Sequence, residues 1–148
     1  MRCFAALAIL CFGVACGGVP PTEAGPLSIT DTYMLRSVDR ETLPAQLDPR
    51  ASSSVLSGSL TLQPNGYFVL AGSDSSWNGR SFVRDDWTDG GTWTADGSML
   101  ILSDTAVEAF DAYGAAASTY FGRIAAHTVS LTMATDDGSK THLFEYTR

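Results

Sequence analysis

The sequence predicts an all-β domain, an eight-stranded antiparallel barrel whose strands run up and down as a meander. From residue 29 onward, apolar and polar residues alternate with a period of two, which is the period of a strand with one buried face. Short turns rich in Gly, Asn and Asp separate the alternating runs, and consecutive hairpins of this kind give an antiparallel meander. Eight such strands can close into a barrel that is either filled by side chains or holds one small ligand.

The expected strands follow the alternation, and the turns between them follow Gly. The strands span 31–38, 54–63, 67–75, 80–88, 91–95, 98–103, 117–126 and 128–147. The spans 80–88 and 91–95 are either two strands or one long bent strand, and the last span holds two strands and their hairpin. Asn65-Gly66, Asp96-Gly97 and the stretch 136–138 supply turns, and Asn-Gly favours a two-residue turn with positive φ at both positions.

Two segments depart from the strand pattern. The connection 40–50 carries prolines, and its Leu43 and Leu47 are expected to cover one barrel end. A short helix is expected near 105–113, because Thr105 and Glu108 form a capping-box pair and Gly114 stands where a helix would stop. The alternative for this second segment is a strand extension followed by a loop.

Composition limits the class of partner. The chain has 148 residues, which is enough for one domain, and 45% of them are hydrophobic, so a packed core is expected. The net charge is −7 and Lys140 is the single lysine. Nucleic acid is therefore not an expected partner, because its phosphates are bound by clustered Lys and Arg.

The N-terminus has the layout of a secretory signal peptide. Arg2 precedes an apolar run from Cys3 to Phe12, and the small residues Gly13 and Ala15 stand just before Cys16. All three cysteines lie in this region, so a disulfide or a cysteine metal site in the folded domain is excluded. The expected organisation is a signal peptide over 1–15, a lipid-bearing Cys16 with a flexible tether over 16–28, and a barrel domain over 29–148.

The stretch Val14-Ala15-Cys16 resembles the lipobox of bacterial lipoproteins. In that family the cysteine becomes the new N-terminus and carries the lipid. The resemblance implies a protein of the bacterial cell envelope that is anchored to a membrane through Cys16 and faces the periplasm or the exterior. An ordinary cleaved signal or an uncleaved anchor is the alternative, and it also places the domain outside the cytoplasm.

Three stretches of the remaining chain, DTYMLRSVD, GGTWTADGSMLIL and LFEYTR, resemble the lipocalin-like small barrels of bacterial lipoproteins. Lipocalins begin their first strand with Gly-x-Trp, where this chain has Asp31-Thr32-Tyr33. They cross that strand with an Arg near the last strand, and Arg148 matches this Arg in position. The resemblance implies that Tyr33 and Arg148 meet at one end of the barrel.

The predicted barrel interior supplies a candidate site for a small apolar or amphipathic ligand. The alternative is that the same side chains simply fill a narrow barrel. The residues expected to face inward are Tyr33, Leu35, Leu60, Leu62, Phe68, Leu70, Trp93, Met99, Ile101, Leu131, Met133, Phe144 and Tyr146.

A second candidate site is a partner face in the Trp-, Arg- and Asp-rich stretch 75–93. Aromatic and Arg side chains are enriched where proteins bind partners, and this face would bind a protein or a glycan. Its expected members are Trp77, Arg80, Arg84 and Trp87. The alternative is a sheet with a solvated charged face and one or two core tryptophans.

Catalysis, metals and cofactors are not expected. His127 and His142 lack metal-ligand spacing, and no serine lies in a Gly-x-Ser-x-Gly elbow. Both histidines are expected to be strand residues. The expected function is a non-catalytic, membrane-anchored binding module for a small apolar or amphipathic ligand. The alternative is a structural or assembly accessory that acts through the partner face.

The anchor assignment gives a direct prediction. We expect acyl labelling of the expressed protein to disappear in Cys16→Ser, because serine has no thiol to carry the lipid. Labelling is measured by incorporation of a radiolabelled or alkyne fatty acid. Cys11→Ser is the control and should keep the label; a label that persists in Cys16→Ser would show that Cys16 is not the anchor.

Overall fold

The computed structural model describes residues 29–48, 53–104, 118–134 and 140–148, and the regular structure in these ranges is all β. Ten strands are found: β1 (Thr32–Val38), β2 (Glu41–Thr42), β3 (Ala45–Asp48), β4 (Ser53–Leu62), β5 (Tyr67–Trp77), β6 (Phe82–Asp96), β7 (Met99–Asp104), β8 (Thr119–Ala125), β9 (Thr128–Ala134) and β10 (Thr141–Thr147). The predicted fold class is confirmed, because β1 and β4–β10 form a closed antiparallel up-and-down barrel of eight strands. Within the described ranges, no helix is long and apolar enough to cross a membrane.

Strand β1 closes the barrel because it pairs with the last strand on one side and with β4 on the other. Its pairing with β10 runs over much of its length. Its pairing with β4 is limited to three residue pairs: Thr32 with Thr61, Tyr33 with Leu60 and Met34 with Ser59. Past Met34 the two strands diverge, and the extra strands β2 and β3 pair with β1 and β4 respectively. The segment 40–50, predicted to be a connection, therefore contains two short strands.

The barrel has two distinct ends, which we call the base and the rim. The base is where β1 begins; it carries the turns 63–66, 97–98 and 126–127 and the C-terminal Arg148. The rim is where β1 ends, and the β5–β6 hairpin turns there. Arg148 links three parts of the base, because it hydrogen-bonds to the His127 ring and to the Ala126 carbonyl and forms an ion pair with Asp31 at 3.4 Å.

The predicted closing residue Tyr33 lies at the base, where it is 1% exposed and donates its hydroxyl to the Ile29 carbonyl at 2.9 Å. Burial raises the pKa of Tyr33, while the nearby positive charge of Arg148 acts to lower it. The resemblance to lipocalins therefore pointed to two residues that lie near each other in the structure. His127, which was expected in a strand, lies in the turn between β8 and β9.

The barrel interior contains a dense apolar core. Ten of its side chains are less than 2% exposed: Tyr33, Tyr146, Phe68, Leu60, Leu62, Leu70, Leu100, Leu102, Leu131 and Val129. Leu35 and Phe144 are also buried, and Trp93 and Met133 pack against the core while partly exposed. Most of the residues predicted to face inward are thus in the core. Burial of this apolar surface is the main stabilising contribution to such a fold.

Met99 and Ile101 were predicted to face inward, and this prediction is wrong. In β7 the buried residues are Leu100 and Leu102, whereas Met99 is 49% exposed and Ile101 is partly exposed on the same outer face. Successive side chains of a strand point to opposite faces. Because Met99 to Leu102 are all apolar, the alternation there does not reveal which face is buried.

The hairpin turns differ in type from the predicted Asn-Gly form. At the first, the Gly66 amide donates to the Gln63 carbonyl at 3.1 Å, and Gly66 has φ +82°. Asn65 is not among the described residues with positive φ, so the loop over 64–66 is a three-residue hairpin loop that ends in a left-handed glycine. In the turn between β6 and β7, Gly97 is the first of the two central residues and has φ +57°.

Several expectations fall on other parts of the chain. The helix near 105–113, the turn at 136–138, the signal peptide and the lipid-bearing Cys16 all lie outside the described residues. Leu43 and Leu47 do lie within them, and both pack against the buried core as predicted. They belong to the segment that carries β2 and β3.

The burial pattern of β7 predicts a sharp difference between neighbours. We expect Leu100→Ala to lower the free energy of unfolding by about 2–5 kcal/mol, because Leu100 is 0% exposed and its truncation leaves a cavity. The control Met99→Ala should change it by about 0.5 kcal/mol or less, because that side chain is half exposed. Urea unfolding followed by circular dichroism measures both; equal losses would contradict the register.

Candidate functional site

The inner wall of the barrel changes from apolar to polar toward the rim. In an antiparallel pair, directly opposite residues share a face. Asp89 lies opposite the buried Leu70, Asp74 lies opposite the buried Val55, and Tyr120 lies opposite the buried Leu102. These polar side chains therefore point inward, above the apolar core. We refer to Asp39, Asp74, Trp87, Asp89, Asp104, Tyr120, Met133 and His142 as the rim site.

Trp87 and Asp74 form one side of the rim site. The indole nitrogen of Trp87 donates to Oδ2 of Asp74 at 3.0 Å. The indole lies across Gly72, where a Cβ atom would come within 2.4 Å of the ring, so only glycine allows this packing. Burial raises the pKa of Asp74, the hydrogen bond from Trp87 lowers it, and Asp85 raises it, with a net rise.

Asp89, Tyr120 and Asp104 form a second cluster on β6, β8 and β7. The Tyr120 hydroxyl donates to Oδ2 of Asp89 at 3.0 Å, and the Gly90 amide donates to Oδ1 at 2.7 Å. Burial raises the pKa of Asp89, and a hydrogen bond with the Asp104 carboxyl group also raises it. Burial, followed by the charge of Asp89, raises the pKa of Tyr120 to about 12. Tyr120 therefore stays protonated and acts as a donor.

Asp39 and His142 meet at the rim although they are far apart in sequence. Oδ2 of Asp39 lies 2.6 Å from Nδ1 of His142, and Oδ1 accepts the Leu143 amide at 2.8 Å. Burial by itself would raise the pKa of Asp39. The hydrogen bonds from Leu143 and His142 and the charge of His142 lower it more, so the carboxylate is ionised. The ionised Asp39 accepts a hydrogen bond from the Nδ1–H group, which fixes the orientation of the imidazole ring.

Among the described residues, two buried polar atoms of the rim site have no hydrogen-bond partner: Nε2 of His142 and Oδ1 of Asp74. The His142 side chain is 8% exposed and lies on the same inward face of β10 as Phe144 and Tyr146. A buried polar atom left unpaired costs about 1–3 kcal/mol, so natural proteins pair nearly all of them. A bound polar group that formed hydrogen bonds with these two atoms would remove this free-energy cost.

Sequence reasoning found the core of the barrel but missed most of the rim site. Of the residues predicted to line a ligand cavity, Met133 belongs to the rim site, whereas most of the others fill the core below it. The missed residues are Asp39, Asp74, Asp89, Asp104, Tyr120 and His142. The sequence did contain a signal for Asp89. This residue is an even number of positions from Trp87 and Trp93 along β6, so it lies on the same face of the strand.

The predicted partner face is only partly correct. Trp77 and Phe82 lie opposite each other at the tip of the β5–β6 hairpin, 48% and 65% exposed, with ring centroids 5.2 Å apart. Arg84 is exposed nearby, and Arg80 lies in the turn. Trp87 does not belong to this face, because it differs in parity from Arg84 and its indole bonds to Asp74 inside the barrel.

The outer face of β4, β5 and β6 carries a shallow groove of about 260 Å³. Its walls include Ser57, Ser73 and Thr88. Arg84 and Asp86 also line it and form an exposed ion pair at 2.9 Å. The groove continues the outer face that holds Trp77, and its lining combines apolar surface with these polar residues.

The raised pKa of Asp89 gives a testable pH dependence. A raised folded-state pKa makes the native state bind the proton more tightly, so this contribution to stability is lost as pH rises from about 4 through the folded-state value. We expect the contribution of Asp89 to make the free energy of unfolding fall between pH 4 and pH 7 in the wild type. In Asp89→Asn this fall should be smaller, as measured by urea unfolding at both pH values. Asp96→Asn, at the exposed end of the same strand, is the charge-matched control. A loss unchanged in Asp89→Asn would contradict this account.

Metal binding is not indicated in the part of the chain that the structure describes, where no group of three or more His, Cys, Asp or Glu residues is placed to hold an ion. Neither a protein-family model nor a curated protein matches the sequence, and no solved structure matches the fold. The barrel is consistent with a lipocalin-like fold, but a fold does not specify a function. Function has to be inferred from the chemistry of the rim site.

Proposed function

We propose that this protein is a cell-envelope lipoprotein, anchored through Cys16, whose barrel binds one small amphipathic molecule at the rim without catalysing a reaction. The observation that carries the proposal is the pair of unpartnered buried atoms, Nε2 of His142 and Oδ1 of Asp74. A bound molecule that reaches them would recover part of the cost of burying them unpaired.

The surroundings of these atoms suit an amphipathic molecule. Trp87, Tyr120 and Met133 are partly exposed and pack against the core, so they offer apolar surface at the rim. Beneath them the core residues are tightly buried, which confines the ligand to the rim and argues for a small molecule. Ligand sites in proteins are mostly apolar with a few placed polar groups, and the rim site has this composition.

A second candidate function rests on the outer face. The exposed Trp77–Phe82 pair at the hairpin tip and the adjacent groove would suit a protein or glycan partner. Aromatic side chains at the centre of such faces often dominate binding energy. This candidate corresponds to a structural or assembly accessory, and it does not require the barrel interior to bind anything.

Native mass spectrometry of the gently purified protein distinguishes the two candidates. We expect a stoichiometric small molecule that solvent extraction releases, with its affinity lowered about tenfold in His142→Phe, because one lost hydrogen bond is about 1–2 kcal/mol. The double variant Trp77→Ala with Phe82→Ala should keep the ligand.

A bare mass would contradict the rim site. The search would then move to proteins or glycans retained by the wild type and lost in the Trp77→Ala, Phe82→Ala double variant.

A further inference from the structure

The rim site is acidic on its inner wall. Asp74, Asp89 and Asp104 are contributed by three neighbouring strands, and Asp39 lies beside His142. The arginine of the same β6 stretch, Arg84, has the opposite parity and pairs with Asp86 on the outer face. A cleft lined by one sign of charge within low-dielectric walls raises the local concentration of ligands of the other sign.

The Asp89–Asp104 contact points to a positive ligand more specifically. Asp104 lies opposite Gly91, two residues from Asp89 on the same face, and after burial it raises the pKa of Asp89, because two neighbouring carboxylates repel unless one of them holds a proton. A cation placed against the pair takes over the role of that proton and lets both groups ionise. Tyr120 and Trp87 add aromatic faces of the kind that attract cations.

The His142 ring supplies an independent observation. Its side chain is more than nine-tenths buried, and the Asp39 carboxylate accepts a hydrogen bond from Nδ1. Nε2 lies on the inner face and has no hydrogen-bond partner among the described residues, so the ring points to a ligand at this position. The second such atom is Oδ1 of Asp74, a carboxyl oxygen that accepts from an N–H or O–H donor, which an amine supplies.

We infer that the ligand of the rim site is a small amphipathic amine, whose ammonium group faces the carboxyl groups while its apolar body lies against the aromatic side chains. This inference rests on the proposed function and adds the sign and the donor character of the polar end. A fatty acid, which has the same apolar body and the opposite charge, is predicted to be a poor ligand.

Isothermal titration of the purified full-length protein tests the inference with three ligands that share one twelve-carbon chain. Dodecylamine, dodecanol and dodecanoate are compared at pH 7 below their critical micelle concentrations. We expect the amine to bind tightest, at least about tenfold tighter than dodecanoate, since one charge-assisted hydrogen bond is about 1.5–3 kcal/mol.

Paired variants separate the rim site from the net charge of the protein. Asp89→Asn should reduce the preference for the amine several-fold, whereas Asp86→Asn, which removes the same charge from the outer face of the same strand, should not. Asp74→Asn should also weaken binding of the amine. An equal effect of Asp89→Asn and Asp86→Asn would overturn the inference, because net charge alone would then account for the preference.

The remaining outcomes separate the inference from the proposed function. If dodecanoate binds as well as the amine or better, the barrel is a ligand carrier but the inference of a cationic ligand is wrong. If none of the three ligands binds, the proposed rim function itself fails, and the outer face becomes the site to pursue.

Discussion

The structure depends on the closure of the sheet by β1. This strand pairs with β10 along one side but has only three residue pairs with β4 along the other. A sheet with unpaired edges exposes backbone groups, and a closed barrel removes both edges. Because β1 and β4 diverge past Met34, the closure is strongest at the base. Toward the rim, β1 pairs with β2 and β4 pairs with β3 instead. The side chains of the rim site come from segments that are distant in sequence.

The sequence was sufficient to predict the barrel because its main signals are local. Period-two alternation and Gly turns gave the eight strands, and the bent strand over 82–96 proved to be a single strand. The errors arose where those signals are absent. The strands β2 and β3 have two and four residues, too few to show a period. In Met99–Leu102 every residue is apolar, so the inward face cannot be chosen from the pattern.

The rim site could not be predicted in the same way because it depends on contacts between distant strands. Asp39 and His142 are 103 residues apart, and their contact requires the pairing of β1 with β10. Asp89 and Tyr120 come together because their strands, β6 and β8, lie on either side of β7. The face of Trp87 was predictable, since it differs in parity from Arg84, and parity is decisive in a strand whose register is fixed. Charge alone did not indicate which aspartates turn inward.

The position of Ile29 has a consequence for how the molecule would exchange cargo. Ile29 precedes β1, and β1 begins at the base, so the described chain enters the barrel at that end. If Cys16 is the anchor, as proposed, the tether would join the barrel at the base, which is the end opposite the rim. Loading and unloading would then occur from the aqueous compartment or by hand-over to an acceptor docked there. Lateral escape of the cargo into the lipid that holds the anchor would not be the favoured route.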